Sequence, residues 1–178
     1  MAMPRISKKA GAAIVIPAAV AALAAVLIPH WESGGRMDLT VRQQKIDPPG
    51  VYTVCDGITN LDPDYRHIRP GMTFTEVECA AAFAKVLPKY YAPLVDCIPG
   101  LAQMPPHRQT ALLSAAYNLG PGTICRSTAV RLINEGRVAE GCEALGRFVR
   151  ANGIVLRGLQ NRRFDPKMGE IAWCKKGS

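Results

Sequence analysis

The stretch WESGGRMDLTVRQQKIDPPGVYTVCDGIT, residues 31–59, places two spaced carboxylates and a hydroxyl in a strand-like setting directly after a long uncharged segment. Leu39-Thr40-Val41 and Val51-Tyr52-Thr53-Val54 are rich in β-formers, and the turn signal Asp47-Pro48-Pro49-Gly50 separates them. The pattern is that of a small β region. A chain folding back at the Pro-Pro-Gly turn would bring Thr53, six residues beyond Asp47, beside that carboxylate. Residues 59–71, rich in Asn, Asp, Pro and Gly, read as a loop.

Downstream the periodicity changes to that of helices. Thr73-Phe74-Thr75-Glu76 has the form of a capping box and predicts a helix over VECAAAFAKVL that stops before Pro88, with a second helical stretch over 89–97. Pro99-Gly100 marks a break. The Pro105-Pro106 pair suits the first turn of a helix through HRQTALLSAAY, and Asn118-Leu119-Gly120-Pro121-Gly122 ends it. Ser127 or Thr128 can cap a short helix to Asn134. Residues 138–150 predict another, with Ala139, Cys142, Leu145 and Phe148 on one face. GLQNRR is the last helical element, followed by Phe164-Asp165-Pro166 and a short tail with Trp173 and Cys174. Strands first and helices after give an α+β fold, with a small N-terminal β lobe and a larger helical lobe.

Upstream, Arg5, Lys8 and Lys9 precede residues 10–29, which carry no charge. Twenty such residues make a helix about 30 Å long, enough to cross a bilayer core. Nine of them are Ala, Gly11 and Pro17 interrupt the run, and eight strongly apolar residues remain. Those eight supply roughly −2 to −5 kcal/mol of insertion energy, less what Pro and Gly subtract, so insertion is marginal. Ala22-Leu23-Ala24 also has the form of a signal-peptidase site. Of a cleaved signal peptide, a buried cytosolic helix and an uncleaved, weakly held export anchor, we take the last. Under either export reading the basic start stays inside and everything after Trp31 is outside.

The 22 Lys and Arg against 14 Asp and Glu favour an anionic partner. The basic residues form no dense block and aromatic residues are only 6% of the chain, which argues against a nucleic-acid platform. The six cysteines include no CxxC pair, so three disulfides, in any of fifteen pairings, fit better than zinc. Disulfides require an oxidising compartment. His30, His67 and His107 lack metal-like spacing, and no metal or cofactor is expected.

Glycoside hydrolysis needs one carboxylic acid to protonate the leaving oxygen and a second polar group that holds or activates water, or attacks. Glu32, Asp47 and Thr53 offer that set, although a solvated charge, a turn former and a strand residue would also explain them. The segment WES…DPPGVYTVCDGIT resembles the catalytic region of phage-type lysozymes: a Glu near the domain start, an Asp, then Gly-Val-Trp-Thr, where this chain has Gly50-Val51-Tyr52-Thr53, and Cys-x-Gly-x-Thr. Glu78-Cys79, ALLSAAYNLGPG, the Ser127-Thr128 helix start, Gly141-Cys142, and GLQNRR before Cys174 follow in the family's order. With its Ala-rich start the chain resembles a signal-arrest-release endolysin of that family.

The resemblance implies a lysozyme-like fold, with an anchor over residues 1–31 and a catalytic domain over 32–178. It implies a monomeric muramidase that cuts the β-1,4 bond between N-acetylmuramic acid and N-acetylglucosamine in peptidoglycan. The enzyme would be tethered to the inner membrane through residues 10–29, with its catalytic domain on the periplasmic side, and would be periplasmic after release. The released segment would refold into the domain. Residues 1–54 contain no cysteine, so activation by disulfide exchange from the anchor looks closed. Glu32 would be the general acid, while Asp47 and Thr53 would position the attacking water. Tyr117 and Asn118 would line the cleft, and Arg162 and Arg163 would either bind wall carboxylates or form an ion-paired helix face. We expect Cys97 to pair with Cys125 and Cys142 with Cys174, leaving Cys55 with Cys79.

Two departures stand out. Glu32 precedes Asp47 by fifteen residues, wider than the family's common spacing, and Asp38 stands nine before it. Asp38 is therefore a rival acid, to which we prefer Glu32 for its Trp-Glu pairing after the anchor and its longer reach. Ile58 replaces the family's frequent His. A lytic transglycosylase and a non-catalytic wall-binding protein are the rival functions.

Overall fold

The computed structural model describes residues 15–44 and 48–177, so Asp47 lies outside the described residues, as do residues 1–14 of the predicted anchor. Helix α1, Ala18–Glu32, buries Val20, Ala24, Leu27 and Ile28. That spacing draws one apolar stripe along a helix. The stripe packs on α3, Pro106–Leu119, whose residues 108–116 are all buried. The described part of the uncharged segment thus forms part of the large-lobe core. Among the described residues no helix is long and apolar enough to cross a membrane.

Three short strands follow: β1 (Asp38–Arg42), β2 (Thr53–Cys55) and β3 (Ile58–Thr59), antiparallel and in that order. Arg42 faces Thr53 and Asp38 faces Cys55, with a register shift between them. Pairing begins at Thr53 rather than Val51 because the chain before it is held as a turn. There the Tyr52 N–H donates to Asn60 Oδ1 (2.8 Å), and Asn60 Nδ2 donates to the Gly50 carbonyl (2.9 Å).

Helix α2, Glu76–Cys97, joins the lobes. Its cap lies two residues later than predicted: Thr75 Oγ1 accepts from the Glu78 N–H (3.1 Å) while Glu78 Oε2 accepts from the Thr75 N–H (2.7 Å). The break expected at Pro88 does not occur, and α2 continues through Pro88 and Pro93. Each proline forfeits a backbone hydrogen bond and costs about 3 kcal/mol in a helix interior. Two features hold the helix together across them. Cys79, Ala82 and Val86 pack in the small-lobe core and Phe83, Leu87, Tyr91 and Leu94 in the large one. Disulfides Cys55–Cys79 and Cys97–Cys125 tie its two ends. With Cys142–Cys174, the three pairs are those expected.

The large lobe is completed by α4 (Pro121–Cys125), α5 (Thr128–Asn134), α6 (Val138–Ala144), α7 (Arg157–Phe164) and α8 (Glu170–Lys175). Ser127 is the α5 cap, accepting from the Val130 N–H. Helix α6 lies so close to α5 that a Cβ at Gly141 would stand 2.6 Å from Ile133. The helix expected to reach Arg150 ends at Ala144, and a two-stranded hairpin follows, β4 (Arg150–Ala151) with β5 (Ile154–Val155). Its turn is Asn152-Gly153, both with positive φ, the pair that favours tight hairpin turns. The predicted tail is instead α8, which buries Trp173 and Cys174.

Candidate active site

Trp31, Glu32 and Ser33, consecutive at the end of α1, reach three different parts of the molecule. Trp31 Nε1 donates to the Met168 carbonyl (2.9 Å). Arg162 Nη1 of α7 donates to Glu32 Oε1 (2.6 Å), and Ser33 Oγ stands 2.8 Å from Asp56 Oδ1 on the β2–β3 turn. Glu32 therefore leaves α1 at the seam between the lobes, where a cleft of about 850 Å³ opens. Glu32, Arg36, Asp38, Thr53, Asn118 and Arg162 are among its walls.

A buried charge network holds Glu32 in place. Arg162 also donates from Nε to Glu170 Oε1 (2.9 Å) and from Nη2 to the Ser114 carbonyl (3.0 Å). Arg163 donates to Glu170 and to Asn118 Oδ1. Arg163 and Glu170 are fully buried and Arg162 nearly so, whereas the Glu32 side chain keeps 21% of its surface exposed. Two arginines thus face two carboxylates, Glu32 and Glu170, and the open end of the network is the carboxylate in the cleft. Burial opposes the charge on Arg162, but Glu170 and Glu32 outweigh it and hold its pKa above the ordinary arginine value.

The floor beneath Glu32 is the turn through Gly57. A Cβ built there would lie 3.3 Å from Glu32 Oε2 and 3.4 Å from the Tyr117 ring, and φ is +87°, so glycine serves both conformation and space. Tyr117 donates its hydroxyl to the Asp56 carbonyl (2.8 Å). Burial first, then the Glu32 carboxylate, push that phenol far above its usual pKa, and it remains a donor.

The structure brings Glu32, Asp38 and Thr53 to one cleft. Thr53 is buried in β2. Asp38 is 40% exposed and pairs with Arg42 at 3.5 Å, without a buried clamp of the kind that holds Glu32. Asn118 lines the cleft, and Tyr117 lies under its floor. Arg162 and Arg163 form a buried, ion-paired cluster, and of the two only Arg162 reaches the cleft wall. The histidines sit apart, His30 against Trp31, His67 near Tyr65 and His107 against Trp173. Sequence reasoning missed Glu170, Ser114 and Asp56. A carboxylate seven and eight residues beyond the Arg pair is the one signal that pointed to Glu170.

The sequence matches the phage lysozyme family over residues 37–165, a span that contains Asp47, Thr53 and Arg162 and begins just after Glu32. It is 34% identical over 161 residues to the SAR-endolysin of Enterobacteria phage P21, covering 90% of this chain and 93% of that one. Against the SAR-endolysin of Bacteriophage PS119 it is 38% identical over 117 residues, 66% of each chain. In fold it is similar to the endolysin from Escherichia coli O157:H7 phage FAHEc1, with a TM-score of 0.71 at 20% identity over 93% of this chain and 96% of that one.

Proposed function

The chain belongs to the phage lysozyme family and is a glycoside hydrolase, an endolysin muramidase acting on peptidoglycan; from that premise we propose how its cleft carries out the reaction and how the enzyme reaches the wall. Glu32 protonates the oxygen of the β-1,4 glycosidic bond as it leaves the anomeric carbon of N-acetylmuramic acid. Asp47 and Thr53 hold the water that attacks that carbon from the opposite face. The observation that carries this reading is the clamp on Glu32, which fixes one carboxyl oxygen on Arg162 and leaves the carboxylate partly exposed to the cleft that Thr53 also lines. General acid catalysis needs a carboxyl group both held toward the leaving oxygen and carrying a proton; the clamp supplies the position. In an inverting reaction the two carboxyl groups stand roughly 6.5–9.5 Å apart, with water between them.

Glu32→Gln tests the assignment. It should abolish clearing of peptidoglycan with the unfolding transition retained, whereas Asp38→Asn should stay active; the reverse result makes Asp38 the acid. Product analysis separates the rival chemistry, since a transglycosylase leaves an anhydro-sugar end and a hydrolase a reducing one.

We propose further that residues 1–31 first serve as a weak inner-membrane anchor, with the catalytic domain on the periplasmic side, and then leave the bilayer so that α1 docks as seen here. The marginal insertion energy and the buried stripe of α1 support this order. Sequencing the N-terminus of the released protein decides it. A mature end near Ala25 would mean cleavage rather than release.

A further inference from the structure

Asp56 is a buried carboxyl that the reaction does not use. It is 3% exposed, on the turn between β2 and β3. Its neighbours Cys55 and Gly57 line the cleft and it stands behind them. We infer that Asp56 is a positioning residue for the muramidase reaction: its side chain holds Ser33, and through Ser33 the turn of α1 that carries Glu32. The inference rests on Glu32 being the acid.

Three contacts carry it. Trp31 and Glu32 bond to the large lobe, at Met168 and Arg162, whereas Ser33 bonds to the small lobe at Asp56. Beyond Ser33 the chain passes through Gly34 and Gly35, both with positive φ, so the helix end is flexible in sequence and needs an external tie. On its other side the Asp56 carbonyl accepts from Tyr117, and Cys55 is disulfide-bonded to Cys79 of α2. The turn is thus fixed to α2 and α3, and Asp56 passes that fixity to α1. Because Gly57 lies under Glu32, a shift of the turn against α1 displaces the acid.

The same contact bears on the charge of Asp56. Ser33 Oγ donates to Asp56 Oδ1 (2.8 Å) and also lies 3.0 Å from the Pro29 carbonyl. Tyr117 of α3, whose hydroxyl bonds the Asp56 carbonyl, feels Glu32 from α1, Tyr90 from α2, Asp56 itself and Arg162 from α7. Arg162, the cation among them, is committed to Glu32, Glu170 and Ser114. Burial accordingly holds the Asp56 carboxyl above its ordinary value, against the opposing pull of the Ser33 hydroxyl. A raised carboxyl pKa stabilises the docked form fully below the unfolded value, about 3.9. That contribution is lost as pH rises through the folded value.

The test compares Asp56→Ala, Asp56→Asn and Ser33→Ala with Glu32→Gln on soluble peptidoglycan fragments. Asp56→Ala should lower kcat by about 10- to 100-fold, the cost of misplacing a catalytic group, with KM little changed. Asp56→Asn, which can still bond Ser33, should restore most of kcat and remove this group's share of the pH dependence of unfolding. If Asp56→Ala does not fold, Ser33→Ala severs the same bond from the partly exposed side and should show the same fall. Wild-type kcat in the variants that fold, or equal losses in Asp56→Ala and Asp56→Asn, overturns the inference. An active Glu32→Gln enzyme would instead refute the acid assignment, and an inactive one beside a wild-type Ser33→Ala enzyme would refute the positioning role alone.

Discussion

Arg162 donates to Glu32 across 2.6 Å, joining the last residue of α1 to α7 from 130 positions away. The same guanidinium bonds Glu170 and Ser114, so one planar side chain reads three elements at once. Removing it leaves Glu32 without its cation and the fully buried Glu170 with Arg163 and Ser114 alone. Breaking a buried pair in this way costs about 3–5 kcal/mol. Arg162→Ala should lose that much in denaturant unfolding. Arg162→Lys keeps the charge but has no fork to span three directions, and should lose proportionally more activity than stability. Equal wild-type rates in both variants would disconnect the clamp from catalysis.

The disulfides should separate by lobe. Cys55–Cys79 holds the turn beneath Glu32 to α2, whereas Cys142–Cys174 joins α6 to α8 away from the cleft. Replacing either pair by serines should cost about 2–4 kcal/mol, the usual range for loops of such length. Only loss of Cys55–Cys79 should also depress kcat at temperatures where both proteins remain folded. Thermal unfolding beside activity at low temperature distinguishes the two.

The fold was most legible where one local rule acted alone. Pro105-Pro106 opening α3, Gly120 closing it and Ser127 capping α5 were all readable, because caps are decided within a few residues. Pro88 misled because its cost is local while its compensation, two cores and two disulfides along α2, is tertiary. Asn152-Gly153 was a plain hairpin signal, overridden by an apolar spacing through Phe148 that continued past the true end of α6. Residue type and resemblance singled out Glu32 and Thr53, both of which line the cleft. Glu170, Ser114 and Asp56 were not singled out: beyond the spacing of Glu170 from the Arg pair, nothing local distinguishes a buried carboxylate from a solvated one, and only the elements packed around it do.

Asp165 gives a pH dependence opposite in sign to that of Asp56. Its carboxylate accepts the backbone N–H groups of Met168 and Lys167, both at 2.8 Å, and these bonds hold its pKa below the usual carboxylate range. A depressed carboxylate contributes stability above the unfolded pKa and loses it as pH falls through the folded one. The loop it shapes presents the Met168 carbonyl to Trp31. Asp165→Asn should therefore be less stable than wild type near neutrality and converge with it at the acid end of a pH series of unfolding curves. A constant difference across the series would mean that its charge plays no part.

The final prediction concerns the two solvents that α1 meets under the release proposal. Docked, it hides Val20, Ala24, Leu27 and Ile28 and exposes Ala18, Ala19, Ala22 and Ala25. In a bilayer every face would be solvated by lipid, so the exposed alanines set the anchor's strength without touching the core. Leucine at 18, 22 and 25 should favour insertion by about 1–2 kcal/mol in total. The purified, docked enzyme should keep its kcat, while release on membrane depolarisation slows several-fold. Leu27→Ala acts on the other face: it removes a fully buried side chain and should cost the docked enzyme about 2–5 kcal/mol, while also weakening insertion. Fractionation of membrane and periplasm after depolarisation separates the two effects. If the triple-leucine variant leaves the membrane as fast as wild type, the weakness of the anchor is not what permits release.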